Sequence, residues 1–478
     1  MKKENKNFLY NVIYQILIFI IPLILTPYIS RVLGVRNIGV YSYTYSIISY
    51  FMLFAMLGIN NHASRNIAKC FENKEKLSYT FCSIYSFQLI CFFISNVAYI
   101  IFLLIFHYKY KNIMLVQSLF LVSSLFDINW LFFGLEKFKI TISRNILIKV
   151  LSMILVFIFV KSPNDLWKYT LIMSGSTLLS QLYLWIFVRK EIIFVHISKK
   201  EILSNLKPCL ILFIPIISYS IYRIMDKTML GSISNSIELG NYESAEKIIN
   251  IPISFITALG TVMLPHMSKI SKEKLKKNIY SSFELSFFFV CPIFIFLEII
   301  AGNFSSIFFG SEFKKTEYII RIMMFTTLFS AISNIVRTNY LIPTKKDAIY
   351  VKSTIYGAIA NLILNVIFIK KYGAYGACIG TIAAELILMI YQSYHARDII
   401  DFFRVFKLFV KYLSKSIMVG LPVWLIELSP LNSMVKLVSQ VIITIILYFI
   451  LNYRYIIYDF FGKNVLPSEF NNRKKLEE

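Results

Sequence analysis

Acidic residues are scarce in this chain, where 26 Asp and Glu stand against 50 Lys and Arg, so the formal net charge is +24. Charged residues of both signs make up only 16% of the 478 residues, and hydrophobic residues make up 57%. A soluble protein of this length would not carry so many long apolar runs. The basic residues fall between those runs, which favours a membrane surface over a nucleic acid as the partner of the positive charge.

Cysteine and histidine are few, and their spacing gives no sign of a metal centre. The six cysteines lie mostly in or beside apolar segments without a CxxC or Cys/His pattern, and the five histidines are scattered. We interpret the cysteines as packing residues. The chain also lacks a DxD sequence or paired carboxylates at the membrane surface, which a metal-dependent transferase would need. The sequence therefore predicts neither an enzyme nor a metal cofactor.

The apolar runs predict an all-α integral membrane protein, because about 20 apolar residues are enough to cross a bilayer as a helix. Fourteen spans are predicted, at 8–30, 37–59, 80–106, 112–135, 141–160, 167–188, 208–230, 242–266, 281–301, 317–341, 348–369, 374–394, 408–427 and 434–453. One alternate set of loops holds about 30 Lys and Arg and the other about 10, so both termini are predicted to be cytoplasmic.

A repeated pattern predicts that the chain was duplicated. Pro27-Tyr-Ile-Ser-Arg-Val-Leu-Gly-Val-Arg-Asn-Ile-Gly-Val-Tyr and the stretch Asp226 to Tyr242 each place Leu-Gly (Gly34, Gly231) at the end of one segment. Each then begins the next segment with apolar-Gly-x-Tyr. Glycine suits turns and helix ends. The offset leaves room for about six helices, which predicts six-helix lobes at 1–190 and 191–400, two extra C-terminal helices at 401–455 and a cytoplasmic tail at 456–478.

Polar residues recur at helical spacing inside several spans. They are Asn7, Asn11, Tyr14 and Gln15; Arg144, Asn145, Lys149 and Ser152; Tyr219, Ser220, Arg223, Asp226 and Lys227; and Glu243, Lys247, Asn250, Ser254, Thr257 and Thr261. Spacings of three and four place each set on one helix face. Because an ionisable residue facing lipid is unfavourable by roughly 2.5–3.5 kcal/mol, these faces predict a hydrated cavity.

Cations exceed acids among these positions, so the cavity is predicted to bind an anion, best a phosphate or pyrophosphate. The candidate binding residues are Arg144, Lys149, Arg223, Lys227, Lys247 and Arg337, and the candidates for coupling to H⁺ or Na⁺ are Asp127, Asp226 and Glu243. Structural alternatives stay open for several of them. Arg144 can snorkel to the surface, Arg223 can pair with Asp226, Glu243 can pair with Lys247, and Asp127 can brace its lobe.

Several segments in order along the chain resemble the Wzx-type O-antigen and polysaccharide flippases. They are Tyr14-Gln, Ile21-Pro, Pro27-Tyr-Ile-Ser-Arg-Val-Leu-Gly and Tyr41-Ser-Tyr, then Phe126-Asp-Ile-Asn-Trp-Leu-Phe-Phe-Gly, Asp226-Lys-Thr-Met-Leu-Gly and Lys370-Lys-Tyr-Gly-Ala-Tyr-Gly. The resemblance implies two six-helix lobes around a central cavity in the bacterial inner membrane. It implies a substrate of undecaprenyl-pyrophosphate-linked oligosaccharide, with a polysaccharide polymerase and a chain-length regulator as further partners.

Three alternatives remain beside the flippase. A drug/cation antiporter of the same superfamily should have a more acidic cavity, and a lipid II flippase should be essential for growth. A membrane-embedded polysaccharide polymerase belongs to a different class, and it would usually have a long periplasmic loop, which the predicted spans do not leave room for.

Overall fold

The computed structural model describes residues 3–106, 109–267, 272–453 and 455–456. Side chains are described from residue 21 onward, apart from five positions between 215 and 222 and most of 259–274. The polar stripe of the first span (Asn7, Asn11, Tyr14, Gln15), the side chains of Tyr219 and Thr261, and all but the first residue of the predicted tail therefore lie outside the described residues.

Every regular element among the described residues is a helix, which confirms the all-α class. The helices are α1 (Lys3–Met56), α2 (Ile59–Ala68), α3 (Lys74–Ile105), α4 (Lys111–Leu125), α5 (Asn129–Gly134), α6 (Phe138–Phe159), α7 (Leu166–Glu191), α8 (Lys199–Ser204), α9 (Leu206–Ile233), α10 (Ser236–Met267), α11 (Lys272–Phe309), α12 (Lys314–Val336), α13 (Asp347–Tyr372), α14 (Ala374–Ala396), α15 (Phe402–Leu428) and α16 (Ser433–Leu451). A 3₁₀ turn, Pro163–Asp165, precedes α7, and a π-helical turn, Arg337–Leu341, follows α12.

Eleven described segments are long and apolar enough to cross a membrane. One of them, Ile21–Ala68, runs across the break in α1 and continues to the end of α2. The helices α9 and α10, of 28 and 32 residues, are also long enough to span a bilayer. With α1 counted as two helices, the long helices of the described chain occupy all fourteen predicted positions.

The break in α1 falls at Gly34, where the first copy of the repeated pattern predicted the end of a segment. Gly34 has φ 74° and ψ 167°, a conformation that glycine adopts without a steric penalty. A Cβ at this position would lie 2.7 Å from the Glu312 Oε2 atom. That carboxylate also accepts a hydrogen bond from the Val35 amide at 3.3 Å, so it satisfies an amide exposed by the break.

The first glycine of the second copy, Gly231, has a different structural role from Gly34. Gly231 lies inside α9, so the prediction that it ends a segment is wrong. A Cβ at Gly231 would come 2.2 Å from the Tyr43 ring, which shows that this glycine permits close packing of α9 on α1. Gly376 and Gly380 of α14 form a GxxxG pair, whose spacing predicts the close approach of a neighbouring helix. The structure confirms it: a Cβ at the first would meet the Phe368 backbone of α13 at 2.4 Å, and at the second Asn365 at 2.3 Å.

Two predicted boundaries need correction. The predicted span 112–135 is interrupted, since α4 ends at Leu125 and α5 begins at Asn129. The Asp127 Oδ1 atom accepts a hydrogen bond from the Asn129 amide at 3.0 Å, a local turn that competes with a continuous helix. The Gln88 amide donates to the carbonyls of Ser124 and Asp127 at 2.8 and 2.9 Å and so satisfies the freed backbone. In addition, the predicted loop 60–79 contains most of α2.

The chain divides into two compact units. The first contains Met1–Lys247, Phe308–Ile319 and Ala348–Leu388, and the second contains Ile248–Ile307, Ile320–Asp347 and Met389–Glu478. In the first unit Trp130 and Phe132 are fully buried in a core with Phe81, and Trp130 Nε1 donates to Gln88 Oε1 at 3.0 Å. In the second, Glu427 joins three helices by accepting hydrogen bonds from Asn303 and Gln440. The lobe boundaries at 190, 400 and 455 stay a prediction.

Cysteine labelling tests the predicted orientation, because exposed positions Asn164 and Lys200 flank the single span α7. We expect Asn164→Cys to react with a membrane-impermeant maleimide in intact cells and Lys200→Cys to react only after permeabilisation, as the Lys/Arg distribution requires. All six native cysteines are buried, so the unsubstituted protein serves as the low-labelling control. Labelling of both positions from the same side would overturn the orientation.

Candidate functional site

A polar cavity of about 520 Å³ lies in the first unit, between helices α2, α5, α6 and α7. It is lined by Asn60, Asn61, Ser64, Asp127, Asn129, Phe133, Arg144, Asn145, Ile148, Lys149, Ser152, Met173, Ser176, Thr177, Ser180 and Gln181. Three candidates from the sequence, Asp127, Arg144 and Lys149, thus share one space. The stripe Arg144, Asn145, Lys149 and Ser152 does face a cavity, as the helical spacing predicted.

Arg144 is held in one wall of this cavity by neutral side chains. It is only 3% exposed, and its guanidinium donates to Asn129 Oδ1 at 2.9 Å, Asn145 Oδ1 at 2.7 Å and Gln181 Oε1 at 3.3 Å. It also donates to the Ser180 carbonyl at 3.2 Å. The alternative that Arg144 snorkels to the membrane surface is therefore wrong, because its donors are directed to partners inside the unit.

Asp127 belongs to the same wall. Its Oδ1 atom accepts hydrogen bonds from the Asn129 backbone amide at 3.0 Å and from the Asn129 side chain at 2.7 Å. The Asn129 side chain also donates to Gln181 at 3.1 Å, so α5 and α7 are tied together through these groups. Asp127 therefore both lines the cavity and braces the wall, two roles that the sequence left as alternatives. Sequence spacing did not reveal Gln181, which accepts hydrogen bonds from both Asn129 and Arg144.

Lys149 differs from Arg144 because its ammonium group is not engaged. The residue is exposed and lines the cavity one turn beyond Asn145. Across the described residues, no carboxylate lies within the 4.0 Å that defines an ion pair with Lys149. Lys149 is consequently the cation in this cavity whose charge is available to a ligand.

A second group of ionisable residues lies between α9 and α10. The Lys227 ammonium contacts Glu243 Oε2 and Glu246 Oε2, each at 2.7 Å, and Arg223 lies 3.7 Å from Glu246. Ser42 of α1 donates to Glu243 at 2.8 Å. Among the described residues Arg223 forms its ion pair with Glu246 of α10 and not with Asp226 of its own helix. Glu243 contacts Lys227 and also interacts electrostatically with Lys247, the pair that the sequence spacing allowed. Glu246, which the sequence reading missed, is the acid that joins Arg223 to Lys227.

Asp226 is separated from these cations and bound by neutral donors. It is 2% exposed and accepts hydrogen bonds from Asn365 Nδ2 at 2.6 Å, Thr381 Oγ1 at 2.8 Å and Tyr242 OH at 3.0 Å. Asn365 also donates to Asn361 at 3.1 Å. The spacing of four between Asn361 and Asn365 in the apolar α13 is the sequence signal that could have revealed this group.

Of the two remaining candidates, Lys247 belongs to the second group, since it interacts electrostatically with Glu243 and Glu246, and Arg337 lies in the second unit. Lys247 ends the first unit, one turn beyond Glu243, and Arg337 begins the π-helical turn of the second unit. Their proposed contact with a ligand stays a prediction. Taken together, the first unit provides one cavity with an available cation, one group of interacting acids and bases and one buried carboxylate held by neutral donors.

The sequence matches the family described as polysaccharide biosynthesis protein over residues 5–271, which is more than half of the chain. The chain belongs to the polysaccharide biosynthesis protein family. A putative O-antigen transporter of Shigella dysenteriae is 24% identical over 78% of this chain and 95% of that protein. A putative O-antigen transporter of Escherichia coli K12 is 26% identical over 55% of this chain and 65% of that protein.

The fold of this chain can also be compared with solved structures. The solved structure of lipid II flippase MurJ in an inward closed conformation superposes on this chain with a TM-score of 0.70 at 18% identity. The superposition covers 93% of this chain and 99% of that chain, so it shows the shared fold over nearly the whole length. The family match and the O-antigen transporter relatives confirm the family resemblance found in the sequence motifs. The apolar helices confirm the multi-pass membrane architecture.

Proposed function

We propose that this protein is a flippase that moves oligosaccharides linked to undecaprenyl pyrophosphate from the cytoplasmic to the outer leaflet of a bacterial cytoplasmic membrane. The observation that carries the proposal is the polar cavity with the available cation Lys149, placed on helices that cross the membrane. The similarity to proteins named as O-antigen transporters supports the same function. Both termini are proposed to be cytoplasmic, and a polymerase and a chain-length regulator are proposed partners.

The cavity is suited to carrying polar groups past lipid. On α6 its residues Asn145, Lys149 and Ser152 face polar side chains, whereas Leu147 and Ile158 of the same helix are more than half exposed. This arrangement gives α6 one polar face and one face suited to lipid. A pyrophosphate entering the cavity would meet the ammonium of Lys149, and the polyprenyl tail would stay in the surrounding bilayer.

The charge balance favours an anionic ligand over a cation. Arg144 and Lys149 outnumber Asp127 in the cavity, and Lys149 lacks an ion pair within the described residues. Arg223 and Lys227 have their charges offset by Glu243 and Glu246, so we propose that they contribute less to ligand binding than Lys149. Lys247 and Arg337 remain proposed ligand contacts. A drug/cation antiporter would need the opposite balance.

Transport by alternating access follows from the predicted lobes, which would rock around the substrate site. We propose Asp226 as the residue that couples this movement to H⁺ or Na⁺. A carboxylate held by Asn365, Thr381 and Tyr242 has only neutral partners, so gaining a proton or a cation would remove its uncompensated negative charge. Glu243, by contrast, already contacts Lys227.

Reconstitution tests this function and its coupling together. Purified protein in liposomes that contain undecaprenyl-pyrophosphate-linked oligosaccharide should accelerate exposure of the glycan to an impermeant lectin on the opposite side. An imposed H⁺ or Na⁺ gradient should increase the rate, and Asp226→Asn should abolish this increase because the substituted amide cannot gain a proton.

Empty liposomes and liposomes with lipid II as the cargo provide the controls. Selective movement of lipid II would favour a lipid II flippase. No acceleration with any polyprenyl-linked glycan, together with accumulation of exposed unpolymerised repeat units in cells lacking the gene, would favour the polymerase. A gradient effect that survives in Asp226→Asn would remove Asp226 from the coupling step without affecting the proposed substrate.

A further inference from the structure

The first turns of α15, in the second unit, extend past the predicted membrane span. α15 begins at Phe402, whereas the predicted span begins at 408. Its 27 residues make it about 40 Å long, and the hydrocarbon core of a bilayer is about 30 Å thick. The helix is therefore long enough for its first turns to reach the lipid headgroups, on the side that the Lys/Arg distribution predicts to be cytoplasmic.

Basic residues recur along these first turns. They are Arg404, Lys407, Lys411 and Lys415, at intervals of three and four residues, which places them along one face of the helix. Arg397 precedes them in the connecting segment. Two acids lie in the same segment, Asp398 and Asp401. Asp401 caps the helix, because its Oδ1 atom accepts hydrogen bonds from the amides of Phe403 and Arg404 at 2.9 and 3.4 Å. The segment therefore has a net positive charge.

The last two cations of this face are bound within the second unit. The Lys411 ammonium contacts Glu284 Oε1 of α11 at 2.8 Å. The Lys415 ammonium donates to the Leu451 carbonyl at 3.0 Å and to Asn452 Oδ1 at 2.9 Å, where α16 ends. These contacts join α15 to both neighbouring helices, so Lys411 and Lys415 serve the packing of the unit.

Arg404 and Lys407 are exposed, and across the described residues no carboxylate lies within the 4.0 Å that defines an ion pair with either of them. The Arg404 guanidinium carbon lies 4.3 Å from the centroid of the Tyr280 ring of α11. The Lys407 Nζ atom lies 4.5 Å from the centroid of the Phe403 ring. Stacking on a ring orients a guanidinium and leaves the N–H groups at its edge able to donate. Both cations are therefore available to an anion.

Apolar side chains flank these two cations. Phe403 and Phe406, also three residues apart, are 66% and 59% exposed. A free phosphate or a nucleic acid would leave these rings in water, whereas a phospholipid covers them with its acyl chains. The positive charge selects among phospholipids, because a zwitterionic headgroup supplies its own cation to the phosphate and an anionic headgroup does not. An anionic phospholipid therefore suits both the available cations and the exposed rings.

We propose that the start of α15 is a binding surface for an anionic phospholipid of the surrounding membrane. Arg404 and Lys407 hold its phosphate, and Phe403 and Phe406 contact its acyl chains. The surface belongs to the second unit, whereas the polar cavity belongs to the first. The inference goes beyond the proposed function and does not depend on which cargo is transported.

Native mass spectrometry of the full-length protein in detergent tests the surface with two lipids of the same acyl chains, anionic phosphatidylglycerol and zwitterionic phosphatidylcholine. The unsubstituted protein should bind phosphatidylglycerol more tightly. The double variant Arg404→Gln, Lys407→Gln should weaken phosphatidylglycerol binding about tenfold, as expected for two basic residues beside a lipid phosphate, and leave phosphatidylcholine unchanged. Lys407→Gln alone keeps the stack of Arg404 on Tyr280 and should weaken it about threefold.

The variant Arg65→Gln, Lys69→Gln provides the matched control, because it removes the same charge at exposed positions near the end of α2, in the first unit and on the same predicted side. It should bind phosphatidylglycerol as tightly as the unsubstituted protein does. Inorganic phosphate should not displace phosphatidylglycerol, since it has no acyl chains to cover the phenylalanine rings.

Four results would overturn the phospholipid surface. They are equal weakening by the control variant, equal binding of the two lipids by the unsubstituted protein, displacement by inorganic phosphate, and displacement by undecaprenyl pyrophosphate at an equal concentration. The last result would assign the start of α15 to the transported lipid instead. None of them would contradict the proposed flippase, which glycan exposure in liposomes tests separately.

Discussion

Replacing Gly39 or Gly240 by alanine is expected to destabilise the folded protein. A Cβ at Gly39 would lie 1.7 Å from the Ser236 carbonyl oxygen, and a Cβ at Gly240 would lie 2.0 Å from the Val35 carbonyl oxygen. Both obstacles are backbone atoms, so no side-chain rotation can relieve them. The two helices would have to separate, which removes the contact between α1 and the start of α10.

Gly39 and Gly240 are the second glycines of the two repeated patterns. The two predicted repeats therefore contact each other at equivalent glycines. Alanine inside a helix is normally favoured over glycine by roughly 1 kcal/mol, whereas overpacking typically destabilises by about 1–3 kcal/mol or more. Because the added Cβ would clash with backbone atoms at these distances, we expect the steric destabilisation to exceed the gain in helix propensity. Heating detergent-extracted protein before size-exclusion chromatography should show a midpoint lowered by several degrees.

Gly175 provides the matched control for this measurement. It lies in the membrane-length helix α7, and a Cβ there would meet nothing within 4 Å. Gly175→Ala should therefore leave the thermal midpoint unchanged or raise it slightly. If Gly39→Ala and Gly240→Ala were as stable as Gly175→Ala, the close helix crossing would not exist in the folded protein.

Replacing Lys227 by methionine is expected to destabilise the protein, whereas the same change at Lys149 is expected to impair transport alone. Lys227 contacts two carboxylates, and the side chains of Glu243 and Glu246 are only 16% and 11% exposed. Without the ammonium these acids are left close together and poorly solvated. Removing one partner of a buried ion pair typically costs about 3–5 kcal/mol. Lys149 has no such partner among the described residues.

Restoring stability with second substitutions distinguishes a structural role of Lys227 from a direct role in ligand binding. Adding Glu243→Gln and Glu246→Gln to Lys227→Met should restore the thermal midpoint, because the repulsion between the carboxylates is removed. Lys149→Met should keep the midpoint of the unsubstituted protein but lose glycan exposure in liposomes. A Lys227→Met protein with normal stability and no transport would show instead that Lys227 acts on the substrate.

Much of the fold was predictable because the relevant signals are local in the sequence. Long apolar runs indicate where membrane helices lie, and helices occupy all fourteen predicted positions, with an interruption in 112–135. Gly34 marked a real break, and the GxxxG pair Gly376 and Gly380 marked a real close approach. The spacing of Arg144, Asn145, Lys149 and Ser152 placed them correctly on one cavity-facing side of α6.

The interruption between α4 and α5 was not predictable from hydropathy, because 112–135 is apolar on average. It depends on the Asp127 side chain capturing the Asn129 amide and on Gln88, far away in the sequence, satisfying the open carbonyls. A hydrophobicity average is insensitive to both hydrogen bonds.

The sequence by itself determined the class of protein, the helices and the family, since composition, period and motifs are properties of the chain alone. Only the tertiary structure decided which partner each charged side chain binds. Lys227 meets Glu243 and Glu246, and Asp226 meets Asn365, which is 139 residues away. Such pairings depend on how far each helix is rotated and shifted against its neighbours. A helical period shows which residues share a face, but not which other face they will meet.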